Sequence, residues 1–409
     1  MTAESDHDIR LPRDIWALGM GSLFMDTSSE TIHGLLPVFL VSVLGASVTS
    51  VGILEGLAEA AALVFKVISG PVSDRLPRRK PLVVLGYAMA ALSKPLFALA
   101  GSVPVVYTAR LFDRMGKGIR GAPRDALVAD IVPPRLRGRA FGLRQSLDTV
   151  GAFLGPLLAV LLMKLTNGDY RTVFWLATIP AVLCVGTMVF GVREKTRETG
   201  WSNGRLRFRD LKKFSAAFWF VSGAGALFQL ARFSEAFLIL RAKDFGLSLS
   251  FAPLILIVMN IVYALSAYPF GHLSDRIPRE AFLKAGLVVL CLSDAALGFA
   301  GGLVPVFCGV ALWGLHLGLT QGTLSALVAD TCPPEDRGTA YGLFNLFSAA
   351  ALLSASAVAG VLWDRVGAKA TFLTGAAFSI SSLLAFLIVD MSGVKEDTRP
   401  EGSRRRKPE

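Results

Sequence analysis

Residues 26–33 read Asp-Thr-Ser-Ser-Glu-Thr-Ile-His, which places Asp26, Glu30 and His33 at i, i+4 and i+7 within an apolar run. On a helix these positions share one face. Carboxyls held away from water bind protons more tightly than in solution, and an imidazole beside them can relay one. Asp26, Glu30 and Glu59 are therefore the candidate proton-coupling residues. Glu55, Glu59 and Lys66 form a second charged face in the next apolar run. A third follows in Ala109–Asp125, where Arg110, Asp113, Arg114, Lys117, Arg124 and Asp125 fall in a helical stripe about 120° wide, with Arg120 at its edge. Five bases against two acids suit an anionic or zwitterionic group, a preference that the four acids Asp26, Glu30, Glu55 and Glu59 partly offset. Lys94, Arg144 and Asp148 add charges nearby. Further along stand Gln229, Arg232, Glu235, Asn260, Tyr263, Asp294 and His316, a more neutral and aromatic set. Glu55, Lys94, Arg110, Asp113, Arg114, Lys117, Arg232, Glu235, Asn260, Tyr263 and Asp294 are candidate linings of a substrate cavity.

Within the third stretch Gly116-Lys-Gly-Ile-Arg-Gly121 has G-x-G-x-x-G spacing. A phosphate-cradling loop of that spacing must follow a strand and open a helix. Here the apolar Val103–Ala109 precedes it, so its glycines are read as close helix packing.

The elements that position these residues must be membrane helices. The chain has 409 residues, 53% of them hydrophobic and 18% charged, with mean hydropathy +0.55; a soluble domain has about 45–50% and about 25%. Roughly a dozen apolar windows reach the 17–25 residues that a bilayer crossing needs. The predicted fold class is an all-α membrane protein of twelve transmembrane helices. So many charges cannot face lipid: they line water or pair within the bundle, and ion pairs between the first, second and fourth spans account for part of them. The net charge of +11 comes from basic segments such as Arg193–Lys213 and Arg404–Lys407. These lie on the side that a cytoplasmic start makes internal. That reads as topology and contact with the lipid bilayer, with no nucleic acid partner and both termini cytoplasmic. Residues 1–14 are polar and the first span is too long for a cleavable signal peptide. Cys184, Cys291, Cys308 and Cys332 make no C-x-x-C pair, so neither a metal site nor a disulfide framework is expected.

The chain also repeats itself. Gly70-Pro-Val-Ser-Asp-Arg-Leu-Pro-Arg78 returns 201 residues later as Gly271-His-Leu-Ser-Asp-Arg-Ile-Pro-Arg279, and Asp125-Ala-Leu-Val-Ala-Asp-Ile-Val-Pro-Pro134 returns 200 later as Ser325-Ala-Leu-Val-Ala-Asp-Thr-Cys-Pro-Pro334. The echo extends from Arg137–Gly142 to Arg337–Gly342. Two parallel six-span units follow: 15–192 and 215–390, with a cytoplasmic tail 1–14, a linker 193–214 and a basic tail 391–409. Parallel halves of this kind are a transporter plan.

The G-x-x-S-D-R-x-P-R-R-K run between the second and third spans resembles the signature loop of the major facilitator superfamily. Its weaker copy stands between the eighth and ninth. Arg114 with Gly118 resembles that family's R-x-x-x-G motif. Gly151-x-x-x-Gly155-Pro156 resembles its antiporter motif, a packing and kinking sequence, with Ala159-Val160 replacing the trailing Gly-Gly. The resemblance spans residues 15–390. It implies two six-helix repeats around a central cavity, alternating access, and a cytoplasmic gate built from Gly70, Asp74, Arg75, Arg78, Arg137, Asp275, Arg276 and Arg337. The antiporter-like motif further implies efflux, and with the intramembrane carboxyls Asp26, Glu30 and Glu59 this reads as exchange of a small-molecule substrate for protons, with no cofactor beyond the proton gradient. A monomer in the bacterial inner membrane is expected, since nothing in such a fold requires more. Proton symport of an anionic metabolite is the alternative, and export of a metal or metal chelate a more distant one. An enzyme is not expected: His7, His33, His272 and His316 are scattered, and no loop is long enough for a catalytic domain.

Overall fold

The computed structural model describes residues 11–133, 136–194, 214–273, 279–320, 331 and 337–388. Among them every regular element is helical. In chain order the helices are α1 (Arg13–His33), α2 (Val48–Arg75), α3 (Lys80–Leu99), α4 (Val103–Ile131), α5 (Arg137–Leu165) and α6 (Tyr170–Gly191). Then come α7 (Ala216–Ala231), α8 (Ala236–Asp244), α9 (Leu254–Leu273), α10 (Arg279–Gly298), α11 (Leu303–Thr320), α12 (Arg337–Arg365) and α13 (Ala368–Ile388). Nine helical stretches of the described residues are long and apolar enough to cross a membrane, one of them, Phe218–Asp244, running through both α7 and α8. The long helices outside that set are α1, α2 and α4, which carry Asp26, Glu30, Glu55, Glu59 and the basic stripe from Arg110 to Arg124.

The duplication is visible in the boundaries. α5 and α12 are each 29 residues long and start 200 residues apart, at Arg137 and Arg337. Among the described residues, those of 11–39 and 61–194 form one compact unit, and those of 40–60 and 214–388 form the other. In the first, α1 packs on α5 and α6, and α3 on α4 and α6; in the second, α7 packs on α12 and α13, and α10 on α11 and α13. These are the same partnerships carried across the repeat.

Small residues make the closest approaches. A Cβ at Gly116 would stand 2.5 Å from the Gly86 carbonyl oxygen, and one at Gly118 2.5 Å from that of Ala62. The glycines of the G-x-G-x-x-G run therefore seat α4 on α3 and α2, as the sequence indicates. α5 shows the complementary division of faces. Val150, Leu154, Leu157, Leu161 and Leu165 are exposed, in keeping with a lipid-facing row, while Gly151 and Ala159 are buried. Pro71, Pro95, Pro123, Pro156 and Pro180 lie inside helices of the first unit, where each removes a backbone hydrogen bond.

The seventh span departs from the expected continuous helix. It is interrupted at Arg232–Glu235, between α7 and α8. Ser234 Oγ accepts the backbone N–H of Ala236 at 3.2 Å, a local bond that competes with the helical ladder.

Candidate functional site

The first unit brings Asp26 and Glu30 onto the face of α1 that meets α5. A Cβ at Gly151 would lie 3.1 Å from the Asp26 Cβ, and one at Gly155 2.5 Å from the Glu30 Cβ. Thr31 Oγ1 donates to the Gly155 carbonyl at 3.1 Å. The antiporter-like glycines thus stand directly against the acidic face of α1, with Pro156 next in line. His33 Nδ1 is 3.3 Å from Glu30 Oε2, and the two side chains are 12% and 22% exposed. The charges acting on Asp26 are Asp148 of α5 and Lys117, Arg120 and Arg124 of α4. Those acting on Glu30 are His33, Arg114 and Lys117. Two carboxyls, an imidazole and fixed cations therefore share one region, where the affinity of each carboxyl for a proton depends on the charges beside it.

Along α4 the bases divide into groups. Lys94 Nζ donates to Asp113 Oδ1 at 2.7 Å and to Ser29 Oγ at 2.9 Å. The Lys94 and Asp113 side chains are 1% and 5% exposed, so they form a closed pair rather than an open wall. Arg110 and Arg114 are also buried beside Asp113. Arg120 lays its guanidinium 4.6 Å from the Tyr87 ring centroid. Arg124 donates to Ser22 Oγ at 3.0 Å and to Tyr87 Oη at 3.4 Å. Arg144 pairs with Asp148 one turn on. Lys117 alone of the α4 bases before Gly118 is exposed; Lys117 and Arg114 are the α4 cations that act on Glu30. Glu55 and Glu59 lie on the part of α2 that clusters with the second unit, so Glu59 belongs to a different unit from Asp26 and Glu30.

In the α2–α3 loop the residue that gathers the contacts is Arg79. Its guanidinium donates to Asp130 Oδ2 at 3.0 Å and to Ser73 Oγ at 2.5 Å. Its backbone N–H and that of Lys80 donate to the Glu194 carboxylate at 2.7 and 2.8 Å, which caps the start of α3. Gly70 lies within α2, and Arg75 and Arg78 are exposed. The side chains of Asp74, Arg137 and Arg337, and the whole of Asp275 and Arg276, fall outside the described residues. Arg79 carries a motif position that spacing alone does not separate from Arg78; only the fold reveals its partner, 51 residues away.

The second unit centres on the break in its first span. Arg232 acts electrostatically on Tyr263 of α9 and His316 of α11. Asn260 lies one turn before Tyr263, and Glu235 closes the break. His316 Nδ1 is 2.8 Å from the Gly286 carbonyl, and its ring stacks on Phe228 with centroids 5.4 Å apart. Asp294 is fully buried on α10. Among the described residues no group of three or more His, Cys, Asp and Glu stands close enough to hold a metal ion.

A duplicated helical fold with charges and a broken helix at membrane depth is the build of a secondary transporter. The model for the Major Facilitator Superfamily matches residues 18–348 and 220–408, and the chain belongs to that family. It is a multi-pass membrane transporter and not an enzyme. It is similar to an uncharacterized MFS-type transporter of Methanocaldococcus jannaschii, at 34% identity over 400 residues, covering 94% of this chain and 97% of that one. It is also similar to the multidrug resistance protein MdtH of Cronobacter sakazakii, at 25% identity over 319 residues and 77% and 78% coverage. Among solved structures the fold matches a mutant of the peptide transporter POT in complex with sulfate, with TM-score 0.77, 16% identity and 94% and 95% coverage. It likewise matches the nucleoside transporter NupG, with TM-score 0.75, 14% identity and 91% and 99% coverage.

Proposed function

We propose that the protein is a proton-coupled exporter that exchanges protons for a small charged compound, anionic or zwitterionic, by alternating access. The observation that carries this reading is the packing of Gly151 and Gly155 against Asp26 and Glu30, with Arg114 and Lys117 acting on the same carboxyl. The cationic group of a zwitterion would compete with the proton for the Glu30 carboxylate while its anionic group rests on Arg114 or Lys117, so loading one releases the other. The likeness to a multidrug resistance protein supports efflux. Residues 15–192 and 215–390 act as the two moving bundles, joined by 193–214. They operate as a monomer in a bacterial inner membrane with both termini in the cytoplasm. The Arg79–Asp130 pair, with Gly70, Asp74, Arg75 and Arg78 around it, holds the cytoplasmic end of the first bundle closed. Asp275, Arg276 and Arg337 belong to the corresponding gate of the second.

The buried cations Lys94, Arg110 and Arg114 suit an anion moving in either direction, which keeps proton-driven import as the second reading. Everted vesicles separate the two. An exported compound dissipates an imposed inside-acid proton gradient and accumulates inside the vesicle. An imported one accumulates in right-side-out vesicles when the outside is acidic.

A further inference from the structure

Two hundred residues after Lys94 stands Asp294, and the same shift takes Asp113 to Trp313. The first pair is bonded; the second is not. Neither carboxyl oxygen of Asp294 nor the indole Nε1 of Trp313 has a hydrogen-bond partner among the described residues, although both side chains are fully buried. Ser293 points elsewhere, to the Gly309 carbonyl at 2.8 Å.

What covers Asp294 is aromatic. A Cβ at Gly375 of α13 would stand 2.7 Å from Asp294 Oδ2 and 2.8 Å from Phe233 Cε1, so the carboxyl and that ring share the space this glycine leaves. The Phe233 ring lies 5.5 Å from those of Trp313 and Phe372. Phe233 is also the second residue of the break between α7 and α8, the one irregular stretch of that span. One turn along α13, the Ser379 hydroxyl is buried and lacks a partner too.

The neighbouring charges do not offset an ionised Asp294. On α10, Cys291 lies one turn before it. Arg241 of α8 is committed to the Leu297 and Gly298 carbonyls, at 2.9 and 3.3 Å, and faces Asp244. Lys369 of α13 rests on the Phe299 ring. From the break, Arg232 acts on Tyr263 and His316, and Glu235 ends the irregular stretch. On α11 His316 is bonded to Gly286. A carboxylate without a counter-ion or donor in such a place is held as the neutral acid.

We propose that Asp294 is a proton-binding site of the second unit, covered by Phe233 and opened by movement of the Arg232–Glu235 break. The step is dissociation of the carboxyl O–H: the proton passes to water admitted when Phe233 leaves, and a carboxylate remains. Its use in transport rests on the exporter reading above, where it adds a proton site in the second unit to those on α1.

Infrared spectroscopy of the purified protein in nanodiscs, titrated over pH, reads the site directly. The wild type shows protonated-carboxyl absorption at neutral pH with a component that Asp294→Asn removes and Asp294→Glu restores at a shifted frequency. Phe233→Ala, which uncovers the acid, moves the loss of that band about one pH unit lower or more. Unchanged size-exclusion and circular-dichroism profiles establish that each variant is folded. If Asp294→Asn and wild type give the same neutral-pH spectrum, or if Phe233→Ala leaves the titration where it was, the proposal is wrong. That failure leaves an exporter working through Asp26 and Glu30 untouched, and loss of proton-coupled transport would leave the Asp294 band in place.

Discussion

Lys94 and Asp113 meet at 2.7 Å in the interior of the first unit, and the repeat carries an acid and an indole, Asp294 and Trp313, at the same two positions of the second. One duplicated framework thus holds a neutralised pair in one copy and a lone acid in the other. The helix packing on either side, Gly86 against α4 and Gly286 against α11, is retained. Divergence changed the charge without changing the scaffold.

The pair makes a graded forecast for stability. Removing one partner leaves the other charge buried, at a cost of about 3–5 kcal/mol, whereas replacing both with apolar side chains of similar volume is close to neutral. Lys94→Met and Asp113→Leu should each lower the detergent melting temperature sharply, and the double variant should recover most of the loss. A double variant worse than either single one would show that the pair is not a self-contained unit.

Gly155 bears on both packing and proton chemistry. A methyl group there must displace the Glu30 Cβ or spread α1 from α5, and overpacking of that kind costs about 1–3 kcal/mol. Gly155→Ala should insert normally, melt lower and lose proton-coupled transport. Ala159→Gly, one turn on, should retain it. Full transport by Gly155→Ala would detach the motif from the carboxyls it touches.

Arg79 ties the end of α2 to the end of α4. Arg79→Ala should raise amide hydrogen exchange at residues 70–80 and 125–131 by about tenfold, as local opening becomes cheaper. Lysine should not restore protection, because a single ammonium cannot reproduce the guanidinium's fork to Ser73 and Asp130. Unchanged exchange in Arg79→Ala would remove it from the gate.

Outside the membrane, Asp169 caps α6. It accepts the Arg171 N–H at 3.0 Å and the Thr172 hydroxyl at 2.5 Å, and the Thr172 bond holds its carboxyl below the ordinary aspartate value of 3.8. A depressed folded-state value stabilises the protein above the unfolded one and is lost as pH falls through the folded one. Asp169→Ala should cost at most about 1 kcal/mol, since water screens so exposed a cap. The melting-temperature gap to wild type should narrow below pH 3.8. A gap that widens on acidification would contradict the cap.

Much of this architecture is legible in the chain itself. The echoes at 200 and 201 residues carry the duplicated packing, and the four-residue spacing of Gly151 and Gly155 marks a close helix contact. Partners are another matter. That Arg79 finds Asp130, and Lys94 finds Asp113, depends on how helices rotate against one another, which local spacing does not encode. The break at Arg232–Glu235 is hidden because the apolar residues around it dominate any hydropathy window. The signal that marks it is local: Arg-Phe-Ser-Glu interrupts the run with a serine able to bond its own backbone.

The most direct measurement is of proton movement in everted vesicles holding an inside-acid gradient, challenged with a panel of anionic, zwitterionic and cationic compounds. Wild-type vesicles should lose the gradient to at least one anionic or zwitterionic compound. Vesicles carrying Asp26→Asn together with Glu30→Gln, at equal protein level, should keep it. Gradient collapse that persists in the double variant would contradict proton exchange through the α1 carboxyls.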